Sequence, residues 1–201
     1  MSVGVLSGNQ LQEIGALGLE DYWRMIPSLN AHDGPFGGNT VIIRGLSDSD
    51  SFNSTESLSA FYVDDTAVTY VSSLFATPGN VAMVDVQRVE VMRGPQGSLV
   101  GANAMGGAMR VVTNAPDPAA PLYRTELNLS NTAHGGWNYG GQAIVNRPTG
   151  DDSALRLAAF YQYDDGFIDD IGLQRRDVND RERVGARLSW LWNVSDRFDV
   201  L

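Results

Sequence analysis

The sequence lacks cysteine and lysine, and it has only two histidines, His32 and His134, among 201 residues. The absence of cysteine excludes disulfides, thiol catalysis and Cys/His zinc sites. All 14 basic residues are arginines, and 24 acidic residues bring the net charge to −10. This balance disfavours nucleic acid as a partner, because phosphate binding depends on basic patches.

Long apolar runs and catalytic motifs are also missing. No stretch of about 18 apolar residues occurs, so the sequence predicts no transmembrane helix. No nucleophile is paired with a base in a recognisable motif, and no metal-ligand set is evident. We therefore expect the protein to be no enzyme and to hold no cofactor.

A glycine-rich segment between Asp85 and Asn114 is the most informative part of the chain. Val89 and Val91 alternate with polar neighbours, which indicates a half-buried strand. The letters RGPQG then predict a tight turn, and the small residues of GANAMGG allow backbone to approach backbone closely. A second strand is predicted at 108–113. A phosphate loop is disfavoured, because no Lys-Ser/Thr follows the glycines and the segment leads into a strand.

Four motifs carry a resemblance to a known family. Residues 89–113, VEVMRGPQGSLVGANAMGGAMRVVT, resemble the closing part of the plug domain of TonB-dependent outer-membrane receptors. Upstream, WRMIPSL at 23–29, VIIRG at 41–45 and FYVDDTAV at 61–68 resemble further plug motifs in the family's order. One departure is Asp65, which stands where the family usually has a hairpin glycine.

Residues 1–116 are interpreted as this α+β plug domain. Ser7 and Gln10 have the spacing of a capping box, which predicts a short helix with Leu11 and Ile14 facing inward. A second helix is predicted from the spacing of Leu19, Tyr22, Trp23 and Ile26, and it should stop before Pro27. The sequence Pro116-Asp117-Pro118 marks the domain boundary, because two prolines so close cannot continue a central strand.

Residues 117–201 change to an alternating pattern. Apolar and aromatic residues alternate with polar ones in four runs of the length that a tilted bilayer-spanning strand needs, and a fifth run begins at Phe198. The runs lie at 123–130, 137–146, 155–163 and 184–193. Short turns at 147–153 and 193–197 and a long polar loop at 164–182 suit an outer-membrane barrel. A soluble sheet with one wet face shows the same alternation, so the barrel interpretation depends on the plug-like domain upstream.

The predicted fold is thus an α+β plug followed by antiparallel strands of an incomplete barrel. Transporters of this type close with about 22 strands, far more than the chain supplies. The first thirty residues also lack the charged and apolar regions of a signal peptide. We therefore expect the chain to be a fragment, or to begin at an internal methionine.

The resemblance implies an active importer in the bacterial outer membrane. Such a receptor binds a scarce nutrient, usually a ferric siderophore, haem or cobalamin and sometimes an oligosaccharide. It releases the nutrient inward when the inner-membrane energy-coupling protein TonB pulls on the plug. Its partners would be outer-membrane lipid, TonB and a small-molecule metal chelate or similar cargo. The alternatives are a soluble periplasmic binding module derived from a plug, and a nonfunctional truncated remnant.

We expect four kinds of role for individual residues: ion pairs, cargo contacts, structural turn positions and an acidic surface loop. Arg44 and Arg93 follow apolar strands, so we expect them to pair with carboxylates, either Glu90 or Asp85 on the plug or residues of the inner barrel wall. Such pairs would latch plug to barrel, or would be plain structural ion pairs. Expected cargo-binding residues are His32, Asp33, Phe36 and Phe52. Expected structural positions are Gly45, Gly94, Pro95, Gly97, Gly101, Gly106 and Gly107. The acidic loop at 164–182 would bind divalent cations or surface polysaccharide, or would simply be hydrated.

Overall fold

The computed structural model describes residues 2–33, 39–46, 58–68, 81–95, 97, 104–195 and 198–201. The chain divides into two compact units, Met1–Asn114 and Ala115–Leu201. Across the described ranges, no helix is both long enough and apolar enough to cross a bilayer.

The described residues of the first unit form seven strands and three short helices. In chain order these are β1 (Ser2–Ser7), α1 (Gly8–Glu13), α2 (Leu19–Tyr22), a 3₁₀ turn (Trp23–Met25), β2 (Leu29–Asp33), β3 (Asn39–Ile43), β4 (Ser59–Val63), β5 (Thr66–Ala67), β6 (Val86–Arg93) and β7 (Gly107–Thr113). One sheet has the order β1-β6-β7-β4-β5, in which β4 runs parallel to β7 and the other pairs are antiparallel. β2 and β3 form a separate hairpin.

The observed helices agree with the predicted ones except at two positions. The capping box at Ser7 and Gln10 is confirmed, and Leu11 is buried as predicted. Ile14 was expected to face inward, but it is the C-cap of α1 and is exposed, because the helix ends one turn too early to carry it into the core. The second helix is regular only to Tyr22, and a 3₁₀ turn then continues to Met25.

The core of the first unit lies against one face of the five-stranded sheet. Val89, Val91 and Met109 are fully buried there, together with Tyr22 and Ile43. The Tyr22 hydroxyl donates to the Met109 sulfur at 3.7 Å, and burial raises the pKa of this tyrosine. Strand alternation therefore directs the apolar positions of β6 and β7 toward the helices.

The β4–β5 hairpin explains how the chain tolerates Asp65 in place of glycine. The left-handed backbone position falls on Asp64, whose φ is 53°, and not on Asp65. The Asp64 carboxylate accepts hydrogen bonds from the Thr113 backbone at 2.7 Å and the Thr113 hydroxyl at 2.9 Å. Aspartate visits this conformation more readily than most residues because its short side chain can bond locally.

The second unit is one antiparallel sheet in which each strand pairs with the next. Its strands are β8 (Leu122–Asn131), β9 (Trp137–Gly150), β10 (Ser153–Asp164), β11 (Arg181–Ser195) and β12 (Phe198–Val200), and neighbours in the sheet are neighbours in sequence. β9 extends to Gly150, so the turn expected at 147–153 is only Asp151-Asp152. The predicted alternation is present: Leu127, Leu157 and Leu188 lie on an exposed face.

Aromatic residues lie near both ends of that exposed face. At the turn end the Trp190 and Trp192 rings stack with centroids 5.9 Å apart. At the loop end Tyr139 stacks on Tyr163 at 5.1 Å. The opposite face is polar but also carries the buried apolar residues Ile144, Ala154 and Ala158, which the alternation did not single out.

Candidate functional site

Three of the sequence motifs meet at one corner of the first unit. The backbone N–H of Arg44 donates to the Ser28 carbonyl at 2.9 Å, and Nη1 of Arg93 donates to the Pro27 carbonyl at 3.3 Å. Nη1 of Arg44 lies 3.5 Å from the position that a Cβ on Gly94 would occupy. We call Pro27, Ser28, Arg44, Arg93 and Gly94 the arginine corner.

The backbone of the arginine corner is unusual. Ser28 has φ 68°, Arg44 has φ 55° and Gly94 has φ 94°, all in the left-handed region. For serine and arginine this conformation costs about 1–2 kcal/mol per residue and persists only where surrounding contacts impose it. Two such residues joined by one hydrogen bond therefore mark a position where the fold holds the chain against its local preference.

Arg93 is a cation on the core side of β6. It follows Val89 and Val91 on the same strand face, because side chains two apart share a face. Its guanidinium lies over β1, with Nη2 3.6 Å from the Cβ position of Gly4, so the missing side chain of Gly4 makes room for it. Nε is buried and has no hydrogen-bond partner among the described residues. A half-buried guanidinium with this bonding is suited to a further anionic or acceptor partner.

Glu90 was an expected partner of these arginines, and the structure places it elsewhere. It lies on the opposite face of β6 from Arg93, where its carboxylate is 2.6 Å from Nε of Arg88. The reason is the two-residue period of the strand, since positions 90 and 93 differ by an odd number. Asp85, the other expected plug-side partner, accepts a hydrogen bond from Asn114 Nδ2 at 2.9 Å.

The glycine-rich connection closes against the same corner. The Gly94 N–H donates to the Gly106 carbonyl at 3.0 Å, and the Gly106 N–H donates to the Leu58 carbonyl at 2.8 Å. Gly107 has φ 151°, and a Cβ there would run into the Met92 carbonyl oxygen. Of the other expected structural positions, Gly45 has φ 77°, Pro95 and Gly97 are exposed, and Gly101 lies outside the described residues.

The expected cargo-binding residues are only partly described. His32 and Asp33 end β2, paired with Thr40 and Asn39 of β3, at the end of that hairpin where residues 34–38 connect the two strands. Phe36 and Phe52 lie outside the described residues. Over the part of the chain that the structure describes, no group of three or more His, Asp or Glu side chains is arranged to hold a metal ion.

The acidic loop between β10 and β11 has an organisation that composition did not indicate. The Asn179 side-chain oxygen accepts from the backbone N–H groups of Phe167 and Ile168, both at 2.8 Å. Asp170 and Arg175 exchange two backbone hydrogen bonds across the tip. Ile171 and Leu173 are exposed there. The loop is thus a hydrogen-bonded hairpin with apolar residues at its tip.

Comparisons of the sequence and of the structure with known proteins both lead to the family that the motifs resemble. A family model described as TonB-dependent Receptor Plug Domain matches residues 1–108. The pesticin receptor of Yersinia pestis is 30% identical over 160 residues, which cover 73% of this chain and 22% of that protein. The vitamin B12 transporter BtuB of Vibrio vulnificus is 25% identical over 168 residues, which cover 83% of this chain and 25% of that protein.

Solved structures are similar over nearly the whole chain. The ferric yersiniabactin uptake receptor FyuA from Yersinia pestis matches with a TM-score of 0.80 and 25% identity, over 95% of this chain and 28% of that one. The ferripyoverdine receptor of Pseudomonas aeruginosa matches with a TM-score of 0.74 and 20% identity, over 97% of this chain and 23% of that one. The predicted fold class is confirmed: a plug followed by antiparallel barrel strands, which do not close within the described residues. The chain spans less than a third of the length of each of these proteins.

Proposed function

This chain belongs to the TonB-dependent receptors of the bacterial outer membrane, and from that premise we propose that the native protein imports a scarce nutrient by energy-coupled transport. Residues 1–116 would be the plug and residues 117–201 the first barrel strands. The relatives include a pesticin receptor, a vitamin B12 transporter and a ferric yersiniabactin uptake receptor, and these names support an uptake role.

The proposed cargo is a ferric siderophore or a similar iron complex. The support comes from the similar structures, of which one is a ferric yersiniabactin receptor and another a ferripyoverdine receptor. Cobalamin ranks second, because one of the sequence relatives is a vitamin B12 transporter whereas two of the similar structures are receptors for ferric chelates. His32 and Asp33, with Phe36 and Phe52, are the proposed plug contacts to this cargo.

The observation that carries the proposed transport mechanism is the arginine corner. Arg44 and Arg93 bring two positive charges to one position of the plug, and Glu90 is engaged by Arg88 on the other face of β6. We propose that carboxylates of the inner barrel wall neutralise this pair, so that Arg44 and Arg93 latch the plug in the resting state. Force from TonB would then break the latch and open a path for the cargo. A half-buried ion pair suits this role because loss of either partner leaves an uncompensated charge.

Uptake measurements test the proposal directly. Cells that carry or lack the native gene are supplied with radioactive iron as catecholate, hydroxamate, phenolate or carboxylate chelates, and in parallel with labelled cobalamin. Uptake of one ferric chelate should depend both on this gene and on TonB, whereas surface binding of that chelate should depend on the gene alone.

The competing assignments predict other results. If the native protein fractionates with the soluble periplasm and needs no detergent for extraction, it is a plug-derived binding module. If uptake of no chelate and of no cobalamin depends on the gene, both proposed cargoes are ruled out and a nonfunctional remnant is favoured.

A further inference from the structure

The segment that joins the two units is held by a single buried side chain. Asn146 on β9 is 0% exposed. Its Oδ1 accepts from the Asp117 N–H at 2.9 Å, and its Nδ2 donates to the carbonyls of Asp117 and Ala120, both at 2.8 Å. All hydrogen-bonding groups of this carboxamide except one oxygen lone pair are therefore directed at residues 115–121, which we call the connector.

The connector is stiff for a second reason. Residues 116, 118 and 121 are prolines, and residues 115, 117 and 120 each precede one. Proline fixes its own φ and restricts the residue before it to extended conformations. Only Ala119 escapes both restrictions, and its N–H donates to the Asp117 carboxylate at 2.8 Å.

The connector is also fastened at its other end. Asn114 directly precedes it, donates from Nδ2 to the Asp85 carboxylate at 2.9 Å and donates from its backbone N–H to the Asp85 carbonyl at 3.0 Å. Only Ala115 and Pro116 lie between this attachment to the first unit and the attachment of Asp117 to Asn146. Two residues of chain leave little slack, since each extends at most about 3.6 Å.

The β-sheet itself does not require the Asn146 side chain. The backbone of Asn146 is in register with Leu122 of β8 on one side and Arg156 of β10 on the other, so its strand pairing is already complete. Among the described residues, the side chain bonds only to Asp117 and Ala120 of the connector. Its contribution is thus to the connector's position.

We propose that Asn146 is a positioning residue for transport. It pins the connector to strand β9 of the barrel sheet, and so it fixes the end of the plug that continues into the barrel strands. The inference rests on the proposed function. With the connector released, the stretch between Asn114 and β8 that no side chain holds would grow from two residues to seven, so the C-terminal end of the first unit would be less fixed. Pinning keeps this end in place while force on the plug breaks the latch.

A spin label at Ala119→Cys tests the pinning without reference to transport. Ala119 is exposed and the chain has no cysteine, so the label is unique within it. In the native protein the label should give a restricted electron paramagnetic resonance spectrum. Asn146→Asp keeps the size and the Oδ1 acceptor but removes both donated bonds, and it should raise the mobile fraction about tenfold or more. Asn146→Ala should do the same.

Asn138→Ala is the matched control. Asn138 lies on the same strand, and its side chain also makes several hydrogen bonds, to Ser130, Thr132 and the Asp165 backbone, but none to the connector. It should leave the Ala119 spectrum unchanged. In unlabelled protein, Asn146→Asp should lower the rate of cargo uptake about tenfold while cargo affinity stays within about twofold.

The outcomes separate this inference from the proposed function. An unchanged Ala119 spectrum in both Asn146 variants, or an equal change in Asn138→Ala, overturns the pinning. Released connectors with normal uptake overturn the positioning role while transport stands. A native protein that transports nothing overturns the proposed function, and the spectra would still report whether Asn146 pins the connector.

Discussion

The two units of the chain place their apolar residues in opposite ways. In the first unit Val89, Val91 and Met109 are 0% exposed and pack against residues of the same unit. In the second unit Leu127 is 86% exposed and Leu188 is 70% exposed, both on one face of a single sheet. Burial of apolar surface contributes about 25 cal/mol per Å², so the first unit supplies its own stabilisation while the second unit needs an apolar surrounding.

The two sheets also differ in how far apart in sequence their paired strands are. The five-stranded sheet of the first unit pairs β1 with β6 and β4 with β7, strands that are distant in sequence. The sheet of the second unit pairs only neighbours, as from β9 to β10 across two residues. Plug-type packing therefore depends on long-range contacts, whereas the barrel strands form a local meander that lipid can cover on one face.

The strongest test of this contrast concerns Arg93, the cation on the core side of β6. Arg93→Glu should reduce cargo uptake by about 100-fold or more, because at the proposed latch a reversed charge would replace attraction to the barrel carboxylates by repulsion. Surface binding of the cargo should persist. Radioactive uptake and binding to intact cells are compared for each variant.

Arg88→Glu is the control for Arg93→Glu. Arg88 lies on the same strand, but its partner is Glu90 on the other face. We expect uptake within about threefold of the native value, since a partly exposed pair contributes only about 0–1 kcal/mol. Equal losses in both variants, or normal uptake in Arg93→Glu, would refute the latch.

A core truncation tests whether the plug is stabilised by its own packing. Ile43→Ala should lower the free energy of unfolding of the first unit by about 2–5 kcal/mol, because Ile43 is fully buried and would leave a cavity. Hydrogen exchange of the β3 and β6 amides, measured by mass spectrometry on the detergent-solubilised native protein, reports this change. Slow exchange at the native level would show that the plug relies on other contacts.

A charge on the exposed face tests whether that face meets lipid. Leu188→Arg should destabilise insertion by about 2–4 kcal/mol if position 188 is near the bilayer midplane. Ser189→Arg, one residue along β11 and therefore on the opposite face, should cost much less. The yield of protein assembled in the outer membrane, measured by heat-modifiable gel mobility, compares the two. A larger loss for Ser189→Arg would invert the assignment of the faces.

The smallest predicted effect concerns the β4–β5 hairpin. Asp64→Ala removes two hydrogen bonds to Thr113 and should destabilise the end of β7 by about 1–3 kcal/mol. Asp65→Ala, which removes an exposed partner of Arg110, should cost less than about 1 kcal/mol. Faster hydrogen exchange at Thr113 in the first variant only is the expected result. Equal exchange in both would remove the proposed importance of the left-handed aspartate.

Local patterns predicted much of what the structure contains. The capping box at Ser7, the β6 and β7 strands and the alternation of β8 to β11 are all set by neighbours within a few residues. Ile14 was misplaced because the short helix ends before the next turn, a boundary that periodicity does not define. The turn predicted at 147–153 is longer than the observed turn, Asp151-Asp152. Polar residues occur both on exposed strands and in turns, so residue type alone does not define where the strand ends.

The sequence by itself determined the family, the fold class and the division into a plug-like and an alternating half, because motif order and side-chain period are properties of the chain. Only the tertiary structure decided which side chains meet. It brought Arg44 and Arg93 to one corner, paired Glu90 with Arg88, and directed Asn146 at the connector 26 to 29 residues away. The physical reason is that strand parity and long-range pairing select contacts between residues whose separation in sequence carries no signal of its own.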